Sequence, residues 1–247
     1  MKRKIQDILY FREDISPFLI HLTRGAFGST AKQNLEKIIR EKKLACGNGS
    51  VSDARFGVNT SGMSEAEKRE FFAAVCLTET PLSEIHCLLE VDERQVNLAP
   101  YGLAFLKEKI VSGCHLSPVH YFNNNGGDTN GVMQALCSLN KTHRIEARKA
   151  LPLISVFGQR ITAPNASPQT KEVNFLWERE WRLPSIYGDL NFSIDDLFVG
   201  LCPDDEIDQF EKLFPGLSFI DPHRNIKWYA SKLVEARQRV GMKYSVV

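Results

Sequence analysis

The sequence holds no run of about 18 uncharged apolar residues, the length a membrane-crossing helix needs. No Gly-x-Gly-x-x-Gly or Gly-x-x-x-x-Gly-Lys-Ser/Thr motif follows a strand-like run, so a dinucleotide Rossmann site or a P-loop has no support. Net charge is almost absent: 31 Lys plus Arg stand against 30 Asp plus Glu, a formal +1. With no global field to attract nucleic acid or an anionic membrane, such binding would need a local patch. The basic start Met1-Lys-Arg-Lys4 meets acidic residues before an apolar core develops. A secretory leader is therefore not expected, and a cytoplasmic location is.

Paired cysteine spacing is missing too. Six cysteines are scattered without a Cys-x-x-Cys motif, which predicts reduced thiols, mostly in the core. Cys114, His115 and His120 form a local cluster one ligand short of a tetrahedral zinc site, so no metal is expected. What the chain does have is the 43% hydrophobic, 25% charged composition of a globular protein over 247 residues, enough for one large core. A single domain over 1–247 is expected, because the loop Ala163–Pro168 is too short to mark a boundary.

Periodicity places the elements. Pro17–Gly25 alternates as a strand with His21 and Thr23 on one face. Thr30 can cap a helix to about Lys43, and Ser64 with Glu67 forms a capping box. Between them lies a Gly, Asn and Ser-rich loop, Gly47–Gly62, that carries Arg55. Ala74–Thr78 reads as a strand feeding a helix from Pro81 to about Glu90, with Thr80 as its cap. Tyr101–Leu106 and Ser117–Phe122 read as strands joined by a charged turn, followed by a polar loop, Asn123–Gly131. A helix over about Val132–Ala150 ends in Lys141, His143, Arg144, Arg148 and Lys149. Val173–Pro184 and Leu197–Leu201 follow as strands, then helices over Glu206–Phe214 and Ile226–Val240. Adjacent strands without intervening helices predict an α+β fold rather than a doubly wound sheet.

Three stretches carry a resemblance: Cys76-Leu-Thr-Glu-Thr-Pro-Leu-Ser83, then Tyr101-Gly-Leu-Ala-Phe-Leu-Lys107 with Ser117-Pro-Val-His-Tyr121, and Asn174-Phe-Leu-Trp-Glu-Arg-Glu-Trp-Arg-Leu-Pro184. In this order they resemble the AbiGi-type abortive-infection family, with Glu-Arg-Glu-Trp-Arg the most specific piece. The resemblance implies a phage-defence or toxin–antitoxin setting without fixing a chemistry. A more distant similarity is to DarT-type ADP-ribosyltransferases. They place His-x-Thr on a first strand, Thr or Ser on a second, and a catalytic Glu on a later one.

That likeness implies an ADP-ribosyltransferase-like mixed or antiparallel sheet with flanking helices, and NAD as co-substrate. It makes Glu180 and Arg55 the catalytic candidates, and His21, Thr23, Gly25, Thr78, Thr80 and Tyr101 the cofactor-binding ones. The acceptor it implies is RNA or DNA, with a cognate antitoxin or chaperone as a possible protein partner. The second motif here lacks the aromatic-rich DarT sequence.

The residue chemistry is compatible. An ionised carboxylate at Glu180 can stabilise the oxocarbenium-like centre formed when the nicotinamide bond breaks. His21 and Thr23 can hydrogen-bond ribose hydroxyls, and backbone beside Gly25 can approach closely. The plainer readings stand beside these: Thr80 as a helix cap, Glu180 as half of a cross-strand salt bridge, Tyr101 as a core or rim aromatic. The basic helix end, with Lys107 and Lys109, is the candidate phosphate patch. The alternative function is a non-catalytic antitoxin or phage-sensing module.

Overall fold

The computed structural model describes residues 12, 14–26, 28–47, 62–91, 98–123, 135, 138–139, 141–157, 159–161, 171–173 and 175–242. In chain order these form β1 (Phe18–Leu22), α1 (Ala31–Glu41), β2 (Lys43–Leu44), α2 (Glu65–Phe72), β3 (Ala74–Thr78), a 3₁₀ helix (Leu82–Leu88), β4 (Gly102–Leu106) and α3 (Lys107–Ser112). Then come β5 (Ser117–Pro118), β6 (His120–Asn123), α4 (Arg144–Ala150), β7 (Ile154–Phe157), β8 (Gln159–Ile161), β9 (Lys171–Val173), a 3₁₀ turn (Phe175–Glu178) and β10 (Glu180–Pro184). The chain continues with β11 (Leu190–Asn191), β12 (Leu197–Leu201), α5 (Ile207–Leu213), β13 (Phe219–Ile220) and α6 (Ala230–Val240). The fold is mixed α+β. Among the described residues no helix is long and apolar enough to cross a membrane.

The chain divides into two compact units, the first from residues 1–43, 77–113 and 191–247, the second from residues 44–76 and 114–190. None of the four crossings falls at Ala163–Pro168, and that loop, Asn124–Gly131 and Asn48–Ser61 lie outside the described residues. β3 contributes its first three residues to the second unit and its last two to the first.

In the first unit the strand order is β13, β12, β4, β1, β3. β12 and β13 run parallel, while β12–β4, β4–β1 and β1–β3 are antiparallel, making a mixed sheet. β1 pairs with β4 along its whole length, Phe18 opposite Leu106 and Leu22 opposite Gly102. A Cβ at Gly102 would lie 2.4 Å from the His21 carbonyl oxygen, so only glycine permits this approach of β4 to β1. Gly200 does the same for the Phe219 ring, 2.1 Å from where a Cβ would stand. Leu19, Leu103, Phe105, Leu197, Val199 and Phe219 are wholly buried. α1 packs through Ala31, Leu35 and Ile39, starts with a Thr30–Gln33 capping box, and stops where Lys42 turns left-handed at φ 51°.

The second unit has its own core, in which Phe71 and Phe72 of α2 pack with Ala147, Leu151 and Ile154. α2 begins in the expected Ser64–Glu67 capping box. β10 neighbours β3 and β5. The ladder to β5 sets Trp181 opposite Pro118 and Arg182 opposite Ser117. β6 pairs in parallel with β7, and β8 with β9 antiparallel.

Several expected elements are re-cut. The charged turn after β4 is the helix α3. Ser117–Phe122 is two strands that pair with different partners, β10 and β7. The basic helix is interrupted at His143 before α4 begins. Val173–Pro184 is a strand end, a 3₁₀ turn and β10 in succession. Thr80 does not cap the following helix, whose first turn has no side-chain cap and has Pro81 at its N-terminal flank. The five described cysteines are thiols, but only Cys202 is buried, so they are not mainly core residues.

Candidate functional site

The chain reaches Glu180 through a strained corner. The 3₁₀ turn Phe175–Glu178 is closed by Arg179 at φ 44°, a left-handed conformation that a residue with a Cβ adopts at a cost of about 1 kcal/mol or more. Burial still alternates across this corner, with Glu178 and Glu180 buried on either side of a half-exposed Arg179. From Glu180 onward the period of two holds. It puts Glu180 and Arg182 on one face and half-buried Trp181 on the other.

On that inner face the Arg182 Nη2 donates to Glu180 Oε2 at 2.7 Å. Its Nη1 donates to the carbonyls of Pro152, 2.6 Å, and Ile154, 3.1 Å. Arg182 is 2% exposed and Glu180 6%, so water screens neither charge and each depends on the other. Tyr121 of β6 completes the group, its Oη accepting the Glu180 amide N–H at 3.4 Å. Burial, and then the Glu180 charge, push the Tyr121 phenol up to about 12, with Glu178 adding in the same direction. Two buried carboxylates, a phenol and a guanidinium thus meet at one strained turn. Buried charged groups gathered around a phenol whose titration is raised are what proton-transfer and charge-stabilising sites are built from.

The plainer reading of Glu180, a salt bridge with arginine, is also met, but along one strand rather than across two. The alternation in Glu-Arg-Glu-Trp-Arg carried that signal for Arg182. Nothing in the sequence placed Tyr121, 59 residues away, beside Glu180.

The cofactor-binding candidates all lie in the first unit. His21 is half-buried on β1 opposite Leu103. Thr23 is buried, its hydroxyl within donating distance of the Ala31 carbonyl, 3.0 Å, and the Tyr101 carbonyl, 3.1 Å. Gly25 precedes the Ala26–Ser29 turn, where a Cβ would stand 3.3 Å from the Ser29 oxygen. The Thr78 and Thr80 hydroxyls bond each other at 2.7 Å. Tyr101 donates to Glu206 Oε2 at 3.1 Å, and burial followed by the Glu206 charge pushes its phenol up to about 12. Thr23 and Tyr101 are therefore joined, as neighbours on the β1 and β4 ends. Arg55 lies outside the described residues.

Three cations of the proposed phosphate patch, Arg144, Arg148 and Lys107, are bonded to acids. Arg144 and Arg148 both turn to Glu70, Arg144 through Nε at 2.9 Å and again through Nη2. Lys107 bonds the buried Glu79 at 2.6 Å, and Lys109 donates to the Asp195 carbonyl at 2.7 Å. For metals, His115 stacks on Tyr187 with ring centroids 3.9 Å apart. The one gathered donor group among the described residues is Glu84, His86 and Cys87, which the sequence reading did not single out. Comparison with protein-family models, curated proteins and solved structures finds no match for the chain.

Proposed function

We propose that the chain is an NAD-dependent ADP-ribosyltransferase of a phage-defence or toxin–antitoxin system, acting on RNA or DNA with Glu180 as its central carboxylate. The observation that carries this reading is a glutamate 6% exposed, balanced by a buried guanidinium and flanked by a phenol and a second buried carboxylate. Burying such a pair costs several kcal/mol by rough estimate, and apolar replacements often pack at no loss of stability. In the reaction the bond between nicotinamide nitrogen and ribose C1′ breaks, and nicotinamide leaves with the bonding pair. An acceptor lone pair closes on C1′ and its proton passes to Glu180. A carboxylate in a low-dielectric setting stabilises the positive charge at C1′ more strongly than one in water. A cytoplasmic site of action and a controlling antitoxin or chaperone belong to the same proposal.

A specific observation favours the second reading, a non-catalytic antitoxin or phage-sensing module. The Thr23 and Tyr101 hydroxyls, offered to the cofactor, are bonded within the first unit, and the Thr78 and Thr80 hydroxyls are bonded to each other.

One experiment separates the two. The chain is incubated with NAD and single-stranded RNA, DNA or cell extract, and the products are weighed by mass spectrometry. The enzyme reading expects an added ADP-ribose mass that Glu180→Gln lowers by about 100-fold or more, the scale of a lost general base. No added mass in any acceptor, with NAD intact, supports the binding-module reading.

A further inference from the structure

The structure assigns a divalent transition-metal site to the 3₁₀ helix Leu82–Leu88, with Glu84, His86 and Cys87 as its protein ligands. This helix turns once every three residues, so side chains at i and i+3 lie one above the other. Its buried residues follow that period: Leu82, Ile85 and Leu88 face inward. The same period stacks Glu84 over Cys87 on the outer face, both exposed, and half-buried His86 sits beside them.

The donor atoms already stand near coordination distance. Cys87 Sγ lies 3.5 Å from His86 Nε2 and 3.9 Å from Glu84 Oε2. All three ligand atoms fall within 4.8 Å of one another. Zinc–sulfur bonds of about 2.3 Å and zinc–nitrogen or zinc–oxygen bonds of about 2.0–2.1 Å at tetrahedral angles put donors about 3.3–3.6 Å apart. The sulfur–nitrogen gap fits without movement. The carboxylate needs a shift of a few tenths of an ångström toward sulfur and about 1.5 Å at most toward nitrogen, within reach of an exposed glutamate rotamer.

The donor set selects the metal class. One thiolate, one imidazole and one carboxylate suit zinc or cobalt(II), whereas calcium and magnesium call for oxygen ligands alone. Thiolate and carboxylate together cancel the two positive charges of the ion. The Cys87 thiol proton goes to solvent as the sulfur–metal bond forms. Three protein ligands leave the fourth tetrahedral position to water.

Cobalt(II) is the probe. The full chain, reduced and freed of metal with a chelator, is titrated with cobalt(II), then challenged with zinc(II). The expected result is a thiolate-to-cobalt charge-transfer band that saturates at about one ion per chain and is removed by zinc. Cys87→Ser should abolish the band, and His86→Ala and Glu84→Gln should each weaken binding by about tenfold or more. Circular dichroism of each variant should match the parent, since Glu84 and Cys87 are exposed and His86 half-buried. No charge-transfer band in the parent overturns the site. A band of unchanged strength in Cys87→Ser also overturns it, because the sulfur then comes from another cysteine.

Discussion

Replacing Arg182 with methionine removes a guanidinium that is 2% exposed while keeping much of its volume. Three bonds go with it, one to Glu180 Oε2 and two to the carbonyls of Pro152 and Ile154. The larger part of the loss is electrostatic. Glu180, itself 6% exposed, is left as a buried charge with its cation gone, and breaking a buried pair from one side costs about 3–5 kcal/mol. At roughly 2–4 °C per kcal/mol for a chain of this length, the melting temperature should fall by about 6–20 °C. Removing both charges, in Glu180→Leu with Arg182→Met, should recover most of this, because a pair replaced by apolar side chains leaves no orphan charge. Thermal and urea unfolding of the parent, both single variants and the double variant form a cycle that isolates the coupling. If Arg182→Met melts within about 1 °C of the parent, or if the two single effects simply add, the buried-pair argument fails.

Gly102→Ala should destabilise the chain by about 1–3 kcal/mol in urea unfolding, since its Cβ would meet the His21 carbonyl at 2.4 Å. Gly113→Ala, with its nearest contact at 3.8 Å, should stay near the parent, and equal effects would show that the clash relaxes freely. The Arg144 hydrogen bond holds the Glu70 carboxyl below the usual range, and the Ser64 backbone N–H does the same for Glu67. Both folded values lie below the unfolded value of about 4.3. Their stabilisation is therefore present above that pH and lost as pH falls through the folded values. Arg144→Ala should thus destabilise at neutral pH and converge on the parent in acid, and a constant gap in urea midpoints from pH 7 to pH 3 would refute this. Glu70→Gln should release Arg144 and Arg148, tightening binding to single-stranded nucleic acid and steepening its salt slope by about 0.7 per phosphate gained. Unchanged binding in filter or anisotropy titrations would dismiss this helix as the acceptor patch.

The parts of the fold legible in the sequence are those decided within one turn or one strand. The Thr30–Gln33 and Ser64–Glu67 capping boxes need only four residues each, and both are present. Ala74–Thr78 and Leu197–Leu201 are apolar runs long enough to declare themselves, and both are strands with those bounds. What failed was decided at a distance. Ser117–Phe122 has one continuous apolar pattern, but Ser117–Pro118 pairs with β10 and His120–Asn123 with β7. Lys107–Ser112 is a single short helix without a side-chain cap, so it carries no start signal. The interleaving of the units is illegible for a related reason: three of the four changes of unit fall inside the strands β2, β3 and β11 rather than in a linker.

The candidate site divides along the same line. Glu180 with Arg182 follows from a period of two, a local rule, but the left-handed Arg179 between the two glutamates does not, because arginine has no preference for that conformation. Charge shows the difference most clearly. A formal +1 and a basic run from Lys141 to Lys149 describe which residues are present, whereas availability depends on partners brought from elsewhere in the chain. Glu70, from α2, takes both Arg144 and Arg148 of α4, and Glu79 takes Lys107. Lys32 and Lys232 are held by Glu206 and Glu211. Within the basic stretch the two guanidiniums, Arg144 and Arg148, are bonded to one carboxylate, so it marks bonded guanidiniums before it marks a phosphate site. Recognition of an anionic acceptor at α4 would have to compete with Glu70 for each cation, and that competition, rather than net charge, sets how strongly this surface can bind.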